Sequence, residues 1–170
     1  MMRAGDFASR WQLELGLPAL VVIVDQITKA LIRAMLPPHT SVDVIDGFLS
    51  LTHVRNTGAA FGILDSVHFP MKAVVLSAVA LAGLVGVGLY ARTLPRHHVL
   101  ARVGLALILG GAAGNLIDRV VDGAVVDFVD VYWRTYHFWA FNVADSAISV
   151  GVVVMLLDLF KTENRVSETA

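Results

Sequence analysis

Phe138-Trp-Ala-Phe-Asn-Val-Ala-Asp145-Ser-Ala-Ile-Ser-Val-Gly-Val-Val-Val-Met-Leu-Leu-Asp-Leu-Phe160 is long and apolar enough for a membrane span, yet it carries an aspartate near its start. A spanning helix needs about 20 apolar residues. An ionised carboxylate inside one is costly and points to function by default. A second aspartate, Asp127, stands upstream in Val125-Val-Asp127-Phe128, joined to the span by an aromatic-rich loop. A helical hairpin would bring the two carboxyls together at the membrane border, where a pair can share one proton and activate a water.

The rest of the chain agrees with a membrane reading. It has 170 residues, 56% hydrophobic and only 16% charged, with a mean hydropathy of +0.71. Soluble domains are nearer 25% charged, so this chain lacks the polar surface of a water-facing globule. The net charge of −1 and the absence of a basic run argue against nucleic-acid partners. With no cysteine, disulfides, thiolate nucleophiles and Cys-based metal sites are excluded. No metal-ligand set is visible; His97-His98 lacks a carboxylate or third histidine at ligand spacing and reads as a solvated loop. No cofactor is expected.

Four apolar segments emerge, approximately 15–36, 69–90, 99–117 and 140–160. Pro37-Pro38 closes the first and Pro70 opens the second. Asp25, Gln26 and Lys29 interrupt the first segment, and no Ala-x-Ala site follows it, so it reads as a retained helix rather than a cleaved signal. Four spans put both termini on one side. Arg3, Arg10, Arg92, Arg96, Arg102, Lys161 and Arg165 would lie there, against Arg33, Arg55, Lys72, Arg119 and Arg134 opposite. The positive-inside tendency then favours cytoplasmic termini. The outer connections alternate: Thr40 to Leu51 suits short strands around an Asp46-Gly47 turn, and Val125 to Trp133 has Asp127 on one face and a solvated Asp130 on the other. The expected fold is an α-helical integral membrane protein of one domain, residues 1–170, with four transmembrane helices and a small extracytoplasmic β-sheet platform. The tail after Lys161 is polar and expected to fray.

Polar residues within the spans have bland and functional readings side by side. Asp25, Lys29 and Arg33 are spaced i, i+4, i+8 on one helix face, which suits an intrahelical ion pair, a snorkelling arginine, or support for a site. Gly110-Gly-Ala-Ala-Gly114 reads first as close helix packing. Asp118-Arg119 reads as an interfacial anchor, while Asn115 and Arg119, four apart, point toward Asp127. Asn142 with Asp145 three residues on also resembles a helix capping box. Asp158 lies at the opposite membrane face, beside Lys161.

Five motifs in order, Asp25-Gln-Ile-Thr-Lys29, Asn56-Thr-Gly58-Ala-Ala-Phe61, Gly114-Asn115-Leu-Ile-Asp118-Arg119, Val125-Val-Asp127-Phe128 and Phe141-Asn142-Val-Ala-Asp145-Ser146, resemble the motif series of bacterial lipoprotein signal peptidase (signal peptidase II). The resemblance implies a multi-pass aspartic endopeptidase of the bacterial inner membrane, acting near the outer face. It implies diacylglyceryl-prolipoprotein substrates, cleavage just before the lipidated cysteine, and no cofactor or metal. It carries Asp127 and Asp145 over as the catalytic pair. Asn56, Gly110, Asn115, Arg119 and Asn142 become positions that shape the site or meet substrate, with Asp25 and Lys29 as supporting residues. Membrane lipids are the expected surroundings and a monomer the expected state. Rival readings are a small ion-coupled transporter, an intramembrane protease of the Gly-x-Gly-Asp type, whose motif is absent, and a non-catalytic scaffold.

Overall fold

The computed structural model describes residues 12–58, 64, 67, 69, 71–95 and 97–168, with side chains at all of these except 12, 13 and 162–168. Pro70, Ala59, Ala60, Phe61, Arg3, Arg10 and Arg96, and the side chain of Arg165, which entered the expectations above, lie outside that description.

Helix α1, Leu17–Met35, follows a π-helical turn at Gln12–Gly16 and carries Pro18 in its first turn, where a missing N–H is tolerated. It stops at Leu36, forced into extended backbone by the following Pro37. Strands β1, Ser41–Ile45, and β2, Leu49–Asn56, pair antiparallel around Gly47, whose φ of 77° needs glycine. Helix α2, Lys72–Thr93, runs back across, and α3, Val99–Asp122, returns. Gly123, at φ 70°, ends α3 by donating its N–H to the Arg119 carbonyl. Strand β3, Val125–Trp133, pairs with β2 on one side and the two-residue β4, Tyr136–His137, on the other, and α4, Val143–Glu168, completes the chain. Among the described residues four helices are thus long and apolar enough to span a membrane, and one antiparallel sheet of order β1-β2-β3-β4 sits at one end of the bundle.

The boundaries differ from the sequence reading in instructive ways. Helix α3 continues five residues past 117, because Asp118 and Asp122 find partners instead of ending the helix. Helix α4 starts at Val143 and runs beyond Lys161 to Glu168; no glycine or proline interrupts that stretch, so the expected frayed tail is helical there.

Helix α3 is the hub, and its glycines are the reason. A Cβ at Gly110 would strike Val21 and Pro18 of α1, and one at Gly111 would strike the Ala144 carbonyl of α4. A Cβ at Gly114 would lie 2.6 Å from the Asp25 carboxylate. Lower in the bundle Gly104 and Gly151 face each other, each barring a Cβ with its carbonyl at 2.6 Å. Such backbone-to-backbone approach is how apolar helices associate where no hydrophobic effect separates helix from lipid. Helix α2 buries no residue and leans on α3, leaving an open flank between itself and α4.

Candidate active site

The flank between α2 and α4 is a cleft of about 710 Å³, apolar along most of its length and polar at the sheet end. Ala80, Gly83 and Leu84 of α2 and Ile108 and Leu109 of α3 line its apolar part. Asn56, Asn115, Arg119, Asp127 and Asp145 line its polar end, roofed by the segment from Phe138 to Phe141.

The two aspartates arrive from different elements. Asp127 sits mid-strand in β3, opposite Val54 of β2, and is 3% exposed. Its Oδ1 accepts from Asn142 Nδ2 at 2.7 Å and its Oδ2 from Asn56 Nδ2 at 3.0 Å. Asp145 sits in the first turn of α4, where its Oδ1 accepts from Asn115 Nδ2 at 2.8 Å and its Oδ2 from the Asn142 N–H at 3.2 Å. The Asp145 N–H returns a bond to Asn142 Oδ1 at 2.9 Å, which completes a capping box. The bland reading of Asp145 is therefore geometrically present, and it also aims the carboxyl into the cleft. Fully buried Asn142 touches both aspartates. Burial first, then the charge of Asp145, push the Asp127 carboxyl up to about 7, against the opposing pull of Asn56, Asn142 and Lys29.

Other residues fall differently from expectation. Asn115 serves Asp145 rather than Asp127. Arg119 donates to the Gly58 and Asn115 carbonyls, at 3.2 and 3.3 Å, tying α3 to the end of β2 instead of bonding a carboxylate. Gly110 faces α1 and does not line the cleft. Asp25 and Lys29 form the expected i, i+4 pair at 2.8 Å, one layer behind the aspartates. Arg33 bonds Asp118 and Asp122, each at 3.0 Å.

Asp118 is the residue the sequence reading missed. Rather than anchoring an interface it is 1% exposed, receiving Lys29 at 2.9 Å, Arg33 at 3.0 Å, Gln26 at 3.2 Å and the Val126 N–H at 3.3 Å. A signal existed: Asn115, Asp118 and Asp122 form an i, i+3, i+7 stripe on α3 that complements Asp25, Lys29 and Arg33 on α1. Asp130 is not solvated either; it is 9% exposed and bonds His137 at 2.8 Å and Ser50 at 3.4 Å. His98 is not simply a solvated loop residue, for it pairs with Asp158 at 2.9 Å. Among the described residues no three His, Cys, Asp or Glu side chains converge as metal ligands.

Residues 17–161 match the family model described as Signal peptidase (SPase) II. The chain belongs to the signal peptidase II family. Among its relatives are the lipoprotein signal peptidase of Geobacter sulfurreducens, 46% identical over 85% of this chain and 89% of that one, and that of Symbiobacterium thermophilum, 44% identical over 90% and 97%. Two solved structures described as bacterial membrane enzymes superpose with TM-scores of 0.72 and 0.69, at 32% and 34% identity. The first match covers 89% of this chain and 90% of the other; the second covers 87% and 92%. As a signal peptidase II family member, the chain is a bacterial membrane peptidase.

Proposed function

We propose that this signal peptidase II family member is an aspartic endopeptidase of the inner membrane. It removes the signal peptide from diacylglyceryl-modified prolipoproteins, cutting just before the lipidated cysteine. The observation that carries the reading is the cross-tie through Asn142, which binds one oxygen of Asp127 and one of Asp145 at the polar end of a cleft otherwise lined with apolar residues.

Two neighbouring carboxyls in a low-dielectric site do not both ionise cheaply, so they hold one proton between them. The ionised carboxylate takes a proton from a water, whose oxygen adds to the scissile carbonyl carbon. The protonated partner gives its proton to the carbonyl oxygen. As the tetrahedral adduct collapses the C–N bond breaks, the carboxyl proton goes to the departing cysteine nitrogen, one adduct hydroxyl returns its proton to a carboxylate as the carbonyl re-forms, and the pair again shares one proton. Asn56, Asn115 and Asn142 hold the carboxyls, and Arg119 fixes the Gly58 backbone beside them.

The apolar part of the cleft suits a signal-sequence helix lying among the spans while the acyl chains stay in the bilayer. Cytoplasmic termini and a site near the outer face complete the reading, with the protein acting as a monomer. Separate Asp127→Asn and Asp145→Asn variants, given a diacylated prolipoprotein, test it. Each is expected to lose at least about a thousandfold in turnover, as when one member of a cooperating catalytic set is removed. Near-normal turnover in either sinks the mechanism.

A further inference from the structure

Three asparagines hold the two aspartates, and an asparagine amide can point either way. Its orientation is decided by what stands behind it. Asn56 Oδ1 accepts the Gly58 N–H at 2.9 Å, so its NH₂ must face Asp127. Asn142 Oδ1 accepts the Asp145 N–H at 2.9 Å, so its NH₂ must face Asp127 as well. For Asn115 the groups behind are two side chains: Lys29 Nζ donates to Asn115 Oδ1 at 2.9 Å, and Asn142 Nδ2 donates to the same oxygen at 3.2 Å.

Lys29 is fully buried, and an ammonium has three donors and no acceptor. Two of its acceptors, Asp25 at 2.8 Å and Asp118 at 2.9 Å, answer its charge. The third, a neutral amide oxygen, adds nothing to charge balance and acts through direction. Rotating Asn115 by half a turn would set its NH₂ against an ammonium that has nothing to accept with. It would also set the amide oxygen against the Asp145 carboxyl. We infer that Lys29 is a positioning residue for the aspartate pair: its ammonium, the closer of the two donors to Asn115 Oδ1 and the only charged one of the two, sets the polarity of the Asn115 amide, and the amide in turn holds the Asp145 carboxyl in the cleft. This inference rests on the two-aspartate reading. The Lys29 charge also opposes the upward push on Asp127, so its removal lets Asp127 keep its proton to higher pH.

The test uses the full chain in detergent with a diacylated prolipoprotein, scoring kcat per folded enzyme with the folded fraction taken from thermal unfolding. Lys29→Met is made together with Asp25→Asn, so that the buried charge stays balanced. The pair is expected to lose about 30-fold in kcat with KM changed less than about twofold, and its activity loss on the alkaline side should move to higher pH. Adding Asn115→Leu should cost no more than about threefold beyond Asn115→Leu alone, because residues acting through one contact are not additive. A pair with full kcat and an unmoved profile, or losses that multiply, overturns the inference. Asn115→Asp asks the question with Lys29 intact, in case the pair does not accumulate. The introduced carboxylate still receives Lys29 but, when ionised, offers Asp145 no donor. Its kcat should fall at least as far as that of Asn115→Leu; near-normal kcat overturns the inference. Asp127→Asn and Asp145→Asn run alongside. Activity in either fails the two-aspartate reading itself, whereas two dead variants beside a fully active Lys29 pair fail only the inference about Lys29.

Discussion

A carboxyl held at about 7 when its ordinary value is 3.8 changes stability as well as chemistry. Asp127 binds its proton more tightly in the folded chain than in the unfolded one. It therefore contributes stability that is fully present below about pH 4 and is lost as pH rises through about 7. A gap of about three units corresponds to about 4 kcal/mol. Because the proton is shared with Asp145, the figure belongs to the pair and marks the upper end. Asp127→Asn removes the titration. Thermal unfolding of the wild type and this variant between pH 4 and pH 8 is therefore expected to diverge. The variant's Tm should gain on the wild type by an amount on the order of 10 °C at the alkaline end, at a few degrees per kcal/mol for a chain of this size. The offset between the curves carries other contributions, since the new NH₂ must face a donor from Asn56 or Asn142. The slope is the prediction. A Tm difference flat within about 1 °C from pH 5 to 8, against the expected rise, refutes the reasoning and means that Asp127 is ionised throughout.

In the proposed mechanism the same shift sets the activity profile: the proton lost near 7 with Asp145 charged is the one the pair would have to keep, so kcat should fall as pH rises above about 7. Asn56→Ala removes a donor to the charged form and should move that falling limb upward by about one unit, measured as kcat against pH. Gly111→Ala should lower thermal stability by about 2 kcal/mol or more and cut activity, because the new methyl meets the Ala144 carbonyl next to Asp145. Gly86→Ala, with nothing within 4 Å of the added Cβ, should leave thermal stability close to wild type. Asp118→Asn should cost about 3 kcal/mol in thermal unfolding by leaving Lys29 and Arg33 short of one buried carboxylate. Exhaustive chelation should leave cleavage unchanged, since the proposed chemistry runs on two carboxyls and a water; loss of activity restored by zinc would contradict it.

The features legible in the sequence are those fixed by local patterning. Span length and apolarity found the four helices, strand alternation found β3 over its observed range, and Asp46-Gly47 found its turn. What the sequence hid were partnerships between distant segments. Asp118 reads as a helix-end anchor until Lys29 and Arg33, more than 80 positions away, reach it. His98 reads as a loop residue until Asp158 returns beside it, 60 positions on. Helix ends were misjudged for the same reason: a charged residue closes a span only if nothing across the bundle receives it, and α3 runs on to Asp122 because something does. The aspartates themselves were visible from position and residue type, but the division of labour among the asparagines was not. Nothing local assigns Asn115 to Asp145 and Asn142 to both.

That division has a physical reason. A carboxyl pair that must keep one proton at neutral pH needs hydrogen-bond donors to hold it in place, but a cation bonded directly to it would drive both members toward ionisation. Amides give direction without full charge. In this chain each of the four aspartate oxygens accepts from an asparagine side-chain or backbone N–H. Two cations, Lys29 and Arg33, stand one layer back. Lys29 bonds Asp25, Asp118 and Asn115, Arg33 bonds Asp118 and Asp122, and Arg119, which lines the cleft itself, donates among the described residues to the Gly58 and Asn115 carbonyls. Two buried carboxylates, Asp25 and Asp118, neutralise that rear layer, so its field reaches the pair weakened while its geometry arrives through Asn115. Moving a cation forward, by Asn115→Lys for example, should then abolish turnover even if the fold survives, because a pair driven to lose its second proton has no acid left to give.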